Sequence, residues 1–293
     1  CNMTGHERSD DLRRRLKAKE SILMPGVWDP LSALIVQQTG FSTAFVSGFA
    51  VSGTLLGRPD VGYLTQTEMA EVAQRVCASV PHLNLVVDAD TGYGDPMTVR
   101  RTVELWEQAG AAGLFLEDQV WPKRCGHMDG KQVVEREDWL AKLRAACDHR
   151  EHLHVTARTD ARAAVSLSEA IERAKMARDC GVDALFVEAP QSMAEMEIIA
   201  NALPDITLVA NMVEKGKTPL LTPAELADLG FRLIVSPLSL LLASTQAMIR
   251  SAQRLADSGT LREHLSEIAP FDAFTDLVGL PEHIANEQQY RRQ

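Results

Sequence analysis

Short apolar runs rich in β-branched residues recur along the chain, each followed by a longer stretch whose apolar positions return every three or four residues. The runs fall at 21–24, 43–46, 84–87, 113–116, 153–157, 184–187, 207–210 and 232–235. Runs this short, bounded by polar residues, read as buried strands. Helical periodicity fills the intervals, for instance at 98–109, 136–148, 167–180 and 193–202. Several stretches stop on a glycine, as at Ala109-Gly110, Cys180-Gly181 and Leu229-Gly230, the residue that takes up left-handed backbone with least strain. Strands alternating with helices predict a parallel sheet, and eight strands are the number that closes a (β/α)8 TIM-type barrel. An open doubly wound sheet is the alternative, but no Gly-x-Gly-x-x-Gly turn follows the first run. The expectation is a barrel over residues 1–240 and a helical extension over 241–293 that serves packing or subunit contact.

Barrels of this kind carry their chemistry at the C-terminal ends of the strands, and here those ends are polar. Run two leads into Ser47-Gly48, run three into Asp88-Ala89-Asp90, and run four into Glu117-Asp118-Gln119. Run five leads into Arg158-Thr159-Asp160, and the last three into Glu188, Asn211 and Ser236. Gathering so many polar groups at a sheet end is costly unless they share a ligand or metal. Asp88 and Asp90, two positions apart, are expected on one side of a strand, with Glu117 arriving from the next. Oxygen donors without a His or Cys cluster suit a hard cation such as Mg²⁺ or Mn²⁺. Helix capping or salt bridging is the alternative for any one of these acids. No lysine ends a strand, which disfavours a Schiff-base aldolase and favours a metal-stabilised enolate. Arg158 would hold a substrate carboxylate or a developing oxyanion through its guanidinium fork, or else pair with Asp160 or Glu188 as part of the barrel.

One cysteine stands apart. Cys125 lies in the polar loop Pro122-Lys123-Arg124-Cys125-Gly126-His127, whereas Cys77, Cys147 and Cys180 fall on helical patterns. Flanking cations favour a thiolate and nearby carboxylates oppose it, so nucleophile and general acid both stay open. His127 is a proton relay or a loop hydrogen bond. Trp121 is core packing or a wall that sizes a substrate's alkyl group. The run Arg13-Arg14-Arg15-Leu16-Lys17-Ala18-Lys19 is a solvated helix face or an anion contact.

Composition acts mainly by exclusion. The 293 residues suit one large barrel. Lys and Arg number 30 against 40 Asp and Glu, a net charge of −10, which disfavours nucleic acid. No window approaches the roughly 18 apolar residues of a membrane span, and the charge-dense stretch 7–20 has no signal-peptide core. Five cysteines without paired spacing point to a reducing, cytoplasmic setting rather than a disulfide framework. The chain opens on Cys1 instead of Met, which reads as a displaced start rather than a lipid-modified cysteine.

At this point a resemblance emerges that covers nearly the whole chain. Met24-Pro25-Gly26-Val27 with Asp29, Val46-Ser47-Gly48, and Leu56-Gly57-Arg58-Pro59-Asp60 resemble the isocitrate lyase and phosphoenolpyruvate mutase superfamily. So do Asp88-Ala89-Asp90-Thr91-Gly92-Tyr93-Gly94, Glu117-Asp118-Gln119, Lys123-Arg124-Cys125-Gly126-His127, Ala157-Arg158-Thr159-Asp160-Ala161 and Ala210-Asn211-Met212. The cysteine loop is similar to that of the carbon–carbon lyases. Phe45-Val46-Ser47-Gly48-Phe49 and Gln119-Val120-Trp121-Pro122-Lys123 resemble most the petal death protein and 2,3-dimethylmalate lyase group.

The resemblance implies a Mg²⁺-dependent lyase that cleaves the C2–C3 bond of a 2-hydroxy dicarboxylate, such as 2-methylmalate or 2,3-dimethylmalate. It further implies a homotetramer in which the C-terminal helix is exchanged between subunits. In it Asp88, Asp90 and Glu117 serve the metal, and the Ser47 and Gly48 amides with Arg158 hold one carboxylate. Phe49, Glu188 and Asn211 contact substrate, and Cys125 protonates carbon. Asp60 sits on a gating loop as base, metal-water partner or latch. Oxaloacetate hydrolysis, 2-methylisocitrate cleavage and carboxyphosphonoenolpyruvate mutase chemistry are the alternatives. Two departures stand out. Pro270-Phe271-Asp272-Ala273-Phe274 replaces the Arg-Asn-Glu-Leu-Tyr segment of the methylisocitrate lyases, which argues against a tricarboxylate. Lys215 replaces a loop glycine, either tuning carboxylate binding or facing solvent.

Overall fold

Every predicted run is a strand, and six of the eight are longer than the apolar pattern alone. The computed structural model describes residues 3–125 and 130–291, so Cys1 and His127 lie outside the described residues. The strands are β1 (Ile22–Val27), β2 (Thr43–Val46), β3 (Asn84–Asp88), β4 (Gly113–Glu117), β5 (His154–Thr159), β6 (Ala184–Val187), β7 (Thr207–Asn211) and β8 (Phe231–Ser236). The extra length adds Asp88, Glu117, Arg158 and Asn211 to the sheet. Ladder partners then fix them in place, Glu117 opposite Arg158 and Asn211 opposite Val235. All neighbours are parallel and the order runs from β1 to β8 around a closed barrel. Closure depends on Gly26, because a Cβ there would sit 2.0 Å from the Pro237 carbonyl oxygen.

Alternation along the strands divides the apolar residues into two layers. Val46, Leu85, Val87, Leu116, Val155 and Leu185 face outward and pack with helix residues such as Val76, Trp106, Trp139 and Ile199. Fully burying a side chain of this size contributes about 1.5–3 kcal/mol. Phe45, Phe115 and Phe186 face inward. Their rings meet across the barrel, Phe45 tilted against Phe115 at 4.8 Å and Phe115 edge-on to Phe186 at 5.6 Å between centroids. Two positions before these rings the same strands carry Thr43, Gly113 and Ala184 at the base; two positions after, they lead to Ser47, Glu117 and Glu188 at the mouth. The aromatic layer therefore separates the two ends.

The base is closed by a helix, α1 (Gly5–Lys17), begun by a Thr4–Glu7 capping box. Leu12 and Leu16 join the inner core. The basic run on α1 is only partly a solvated face: Arg13 is bonded to Asp183 and to the His152 and Leu153 carbonyls, while Arg14, Lys17 and Lys19 are exposed. Gly110, Gly181 and Gly230 end their helices in left-handed backbone, with φ of 88°, 85° and 101°.

Residues Leu241–Gln293 form a second unit. The helix begun at Ser239 runs to Ser258, and helices Phe271–Leu277 and Leu280–Arg291 follow a 3-10 turn at Arg262–Glu267. No described residue of these elements is buried, and Phe271 is 83% exposed. No helix among the described residues is long and apolar enough to cross a membrane.

Candidate active site

The acids at the barrel mouth come together by a route other than strand alternation. β3 stops at Asp88, and Asp90 takes left-handed backbone with φ 45°. A turn, not the pleat, brings its carboxyl back: the Asp90 N–H donates to Asp88 Oδ1 at 3.1 Å. The Gly48 N–H donates to Asp88 Oδ2 at 3.3 Å. A Cβ on Gly48 would meet that oxygen at 2.9 Å and Asp90 Oδ1 at 3.5 Å. Both carboxylates thus converge on one glycine. Into this cluster the loop after β4 sends Lys123, whose Nζ lies 2.5 Å from Asp60 Oδ1 and 2.7 Å from Asp90 Oδ1. The absence of lysine from the strand ends concealed this ammonium, although Lys123 was visible beside Cys125.

Arg158 occupies the opposite side of the mouth. Its Nε and Nη2 reach Asp160 at 3.0 and 3.2 Å. Nη1 lies 3.3 Å from Glu117 Oε2, and Nη2 lies 3.4 Å from Glu188 Oε2. Phe186 lies beneath the guanidinium, 5.3 Å from Cζ to the ring centroid. The fork is therefore taken up by Asp160, which realises the structural reading of Arg158 and leaves one Nη1 hydrogen for a ligand. Glu188 also accepts from Asn211 Nδ2 at 3.2 Å. Behind them Lys131 Nζ meets Asp160 at 2.7 Å, and Arg173 with Thr159 holds Asp118.

Charge at this mouth is poised rather than balanced. Burial pushes the Asp90 carboxyl up to about 7 against the pull of Lys123, with Asp88 and Asp60 adding to the rise. Burial raises Glu117 as well, against Arg158 and Lys123. For Lys123, burial pulls downward but Asp90 and Asp60 outweigh it and hold the ammonium charged. Glu117 Oε1 is buried with no hydrogen-bond partner, an acceptor awaiting a cation or a donor. Among the described residues no three acidic, histidine or cysteine side chains form a ready metal cage. The Asp88 and Asp90 carboxylates converge at Gly48 and the Glu117 N–H donates to the Asp90 carbonyl oxygen, but the three side chains are not arranged as direct ligands of one ion. The donor set fits a Mg²⁺ that keeps most of its waters and takes one or two carboxylates.

A cavity opens above the cluster. Its polar lining includes Ser47, Asp60, Asp88, Lys123, Cys125 and Arg158, with Glu188 and Asn211 beside them. Phe49, Val213, Pro237 and Leu238 make an apolar wall. Several expectations change here. The Ser47 N–H is bonded to the Val27 carbonyl and the Gly48 N–H to Asp88, so neither amide is open to a substrate carboxylate. Trp121 does not line the cavity. It is 44% exposed, and its ring lies where a Cβ on Gly62 would fall, 3.0 Å from Cζ2. It is neither core nor wall. Lys215 is exposed with φ 59° and faces solvent. The position asks for glycine on backbone grounds.

Comparison with known proteins supplies the wider setting. The sequence profile of the phosphoenolpyruvate phosphomutase family matches residues 12–256. The chain is 46% identical to the chloroplastic carboxyvinyl-carboxyphosphonate phosphorylmutase of Arabidopsis thaliana, covering 94% of this chain and 83% of that protein. It is 43% identical to the petal death protein of Dianthus caryophyllus, over 97% and 90% of the two. The crystal structure of 2,3-dimethylmalate lyase superposes with a TM-score of 0.92 at 33% identity, covering 97% and 95%. That of oxaloacetate acetylhydrolase bound to 3,3-difluorooxalacetate gives 0.93 at 33%, covering 98% of each. Phosphonopyruvate hydrolase, solved with oxalate and Mg²⁺, gives 0.87 at 26%, covering 98% and 99%.

Proposed function

The chain belongs to the phosphoenolpyruvate phosphomutase family of the isocitrate lyase superfamily, an enzyme family of lyases and mutases, and from that premise we propose that it cleaves the C2–C3 bond of a 2-alkylmalate. The products are a 2-oxo acid and a carboxylic acid; from 2-methylmalate they are pyruvate and acetate. One observation carries the reading: a thiol, Cys125, shares its cavity with Arg158, Lys123 and an apolar wall of Phe49, Val213, Pro237 and Leu238.

Asp88, Asp90 and Glu117 would hold Mg²⁺, with Mn²⁺ as a substitute, and when bound the ion supplies Lewis-acid polarisation of the substrate's oxygens. Arg158 is held by Asp160, Glu117 and Glu188, so its remaining donor is aimed before substrate arrives and needs no reorganisation. Asn211 and the Ser47 hydroxyl orient the carboxylates. Asp60, the cavity carboxylate paired with Lys123, takes the 2-hydroxyl proton. As C2–C3 breaks, its electron pair becomes the enolate of the leaving acid, and the Lys123 ammonium offsets that charge. Cys125 then donates its thiol proton to carbon as general acid. Phe49, Pro237 and Leu238 keep water from the enolate. A reducing, cytoplasmic setting belongs to the same reading, since Cys125 must remain a thiol.

The test is pyruvate release from racemic 2-methylmalate, followed with lactate dehydrogenase in Mg²⁺ and in EDTA. Release that depends on the metal is the expected result. No release with Mg²⁺ present, together with oxalate from oxaloacetate, would move the assignment to the hydrolase chemistry named for the structural relative of TM-score 0.93.

A further inference from the structure

The opposite end of the barrel holds a cleft that the proposed reaction does not use. It has a volume of about 700 Å³ and lies between the C-terminal end of α1 and the starts of β5, β7 and β8. Arg13, Lys17, Lys19 and Arg232 line it, a concentration of positive charge on a chain of net charge −10. Arg13 is committed to Asp183, which also takes Arg150 and the Val155 N–H. Lys17, Lys19 and Arg232 make no ion pair among the described residues, and Asp205 is the acid that remains to face them.

Arg232 reaches the cleft through a local departure from the ladder. Leu208 pairs with Phe231 and Val209 with Leu233, so Arg232 is the extra residue of a β-bulge. Bulges re-aim a side chain that regular pairing would direct elsewhere. The cleft wall also carries a buried polar group. His154, 1% exposed, lines it and has an Nδ1 with no hydrogen-bond partner. Burying such a group unsatisfied is costly, and a ligand or a water held by one would satisfy it. Thr207 lines the same cleft. Lys17 also complements the C-terminal dipole of α1, but that role accounts for neither the re-aimed Arg232 nor the buried imidazole.

We propose that this basal cleft binds a small, multiply charged oxyanion, gripped by Lys17, Lys19 and Arg232 with His154 at its inner wall. Phosphate and carboxylate groups share the required chemistry, several negative oxygens within one compact molecule. The site does not depend on the reaction at the mouth, and its occupancy is read without turnover.

The experiment is calorimetric titration of the full chain with pyrophosphate and, separately, with citrate, in metal-free buffer of fixed ionic strength. Saturable binding of one or both is expected, and the ligand that binds identifies the class. Arg232→Ala should weaken it at least tenfold while leaving 2-methylmalate turnover unchanged. Lys17→Ala/Lys19→Ala, confined to exposed side chains, should do the same and serves if Arg232→Ala does not fold. Equal affinity in wild type and variants, or no saturable binding of either anion, overturns the proposal.

Discussion

At Cys125 the chemistry reduces to one proton. A serine hydroxyl of nearly the same size is a far weaker acid than a thiol, so Cys125→Ser should bind 2-methylmalate almost unchanged while losing about 10²–10⁴ in kcat, the usual worth of a general acid. Near-normal kcat in that variant would transfer the protonation to another group. Lys215 poses a backbone question instead. Left-handed φ costs a non-glycine residue about 1–2 kcal/mol, while glycine costs roughly 0.5–1 kcal/mol in unfolded-chain entropy. Lys215→Gly should therefore raise the midpoint of thermal unfolding slightly without altering turnover; a lower midpoint would mean the loop relies on the lysine. The sequence made Asp88, Glu117, Arg158 and Cys125 legible because each follows an apolar run or sits in a distinctive loop. What it concealed was partnership. The Arg158 fork closes on Asp160, Lys123 enters from a loop, and the Ser47 and Gly48 amides are already bonded, all facts of three-dimensional approach.

At the level of elements, the apolar pattern located every strand but clipped six of them, since an apolar run stops at the first polar residue or proline while the ladder continues. Helix α1 was the larger surprise. Its two buried leucines, Leu12 and Leu16, are hidden among cations, so local composition masked a plug that depends on the barrel to be useful. Beneath that plug, burial lowers the His154 imidazole to about 4, with Asp183 opposing and Arg13 and Arg150 assisting. The neutral folded form binds fewer protons than the unfolded chain between about 6.5 and 4, so stability falls as pH drops through that window and levels off below it. Urea unfolding at pH 7 and pH 5 should show the loss, and His154→Gln should flatten the dependence. An equal slope in the variant would assign the effect to other groups.

For the whole molecule, the barrel was legible because its repeat is written eight times, and an error at one strand is corrected by its neighbours. The C-terminal unit gave less, since amphipathic helices announce that they cover something without naming it. Among its described residues none is buried, and side chains such as Leu265, Phe271 and Tyr290 are exposed, which leaves apolar surface for subunit contact; we propose that the assembly is a homotetramer. Sedimentation equilibrium should give four times 32.2 kDa; a monomer at micromolar concentration would contradict it.

The layer of Phe45, Phe115 and Phe186 has a final consequence. Three rings in contact, Phe115 between the other two, put an apolar layer between the polar mouth and the base of one barrel. Residues below the layer can then change without retuning the acids above it. A fold partitioned this way is modular along its axis, so selection, or a protein engineer, can rewrite the base as a sensor while the mouth keeps its chemistry.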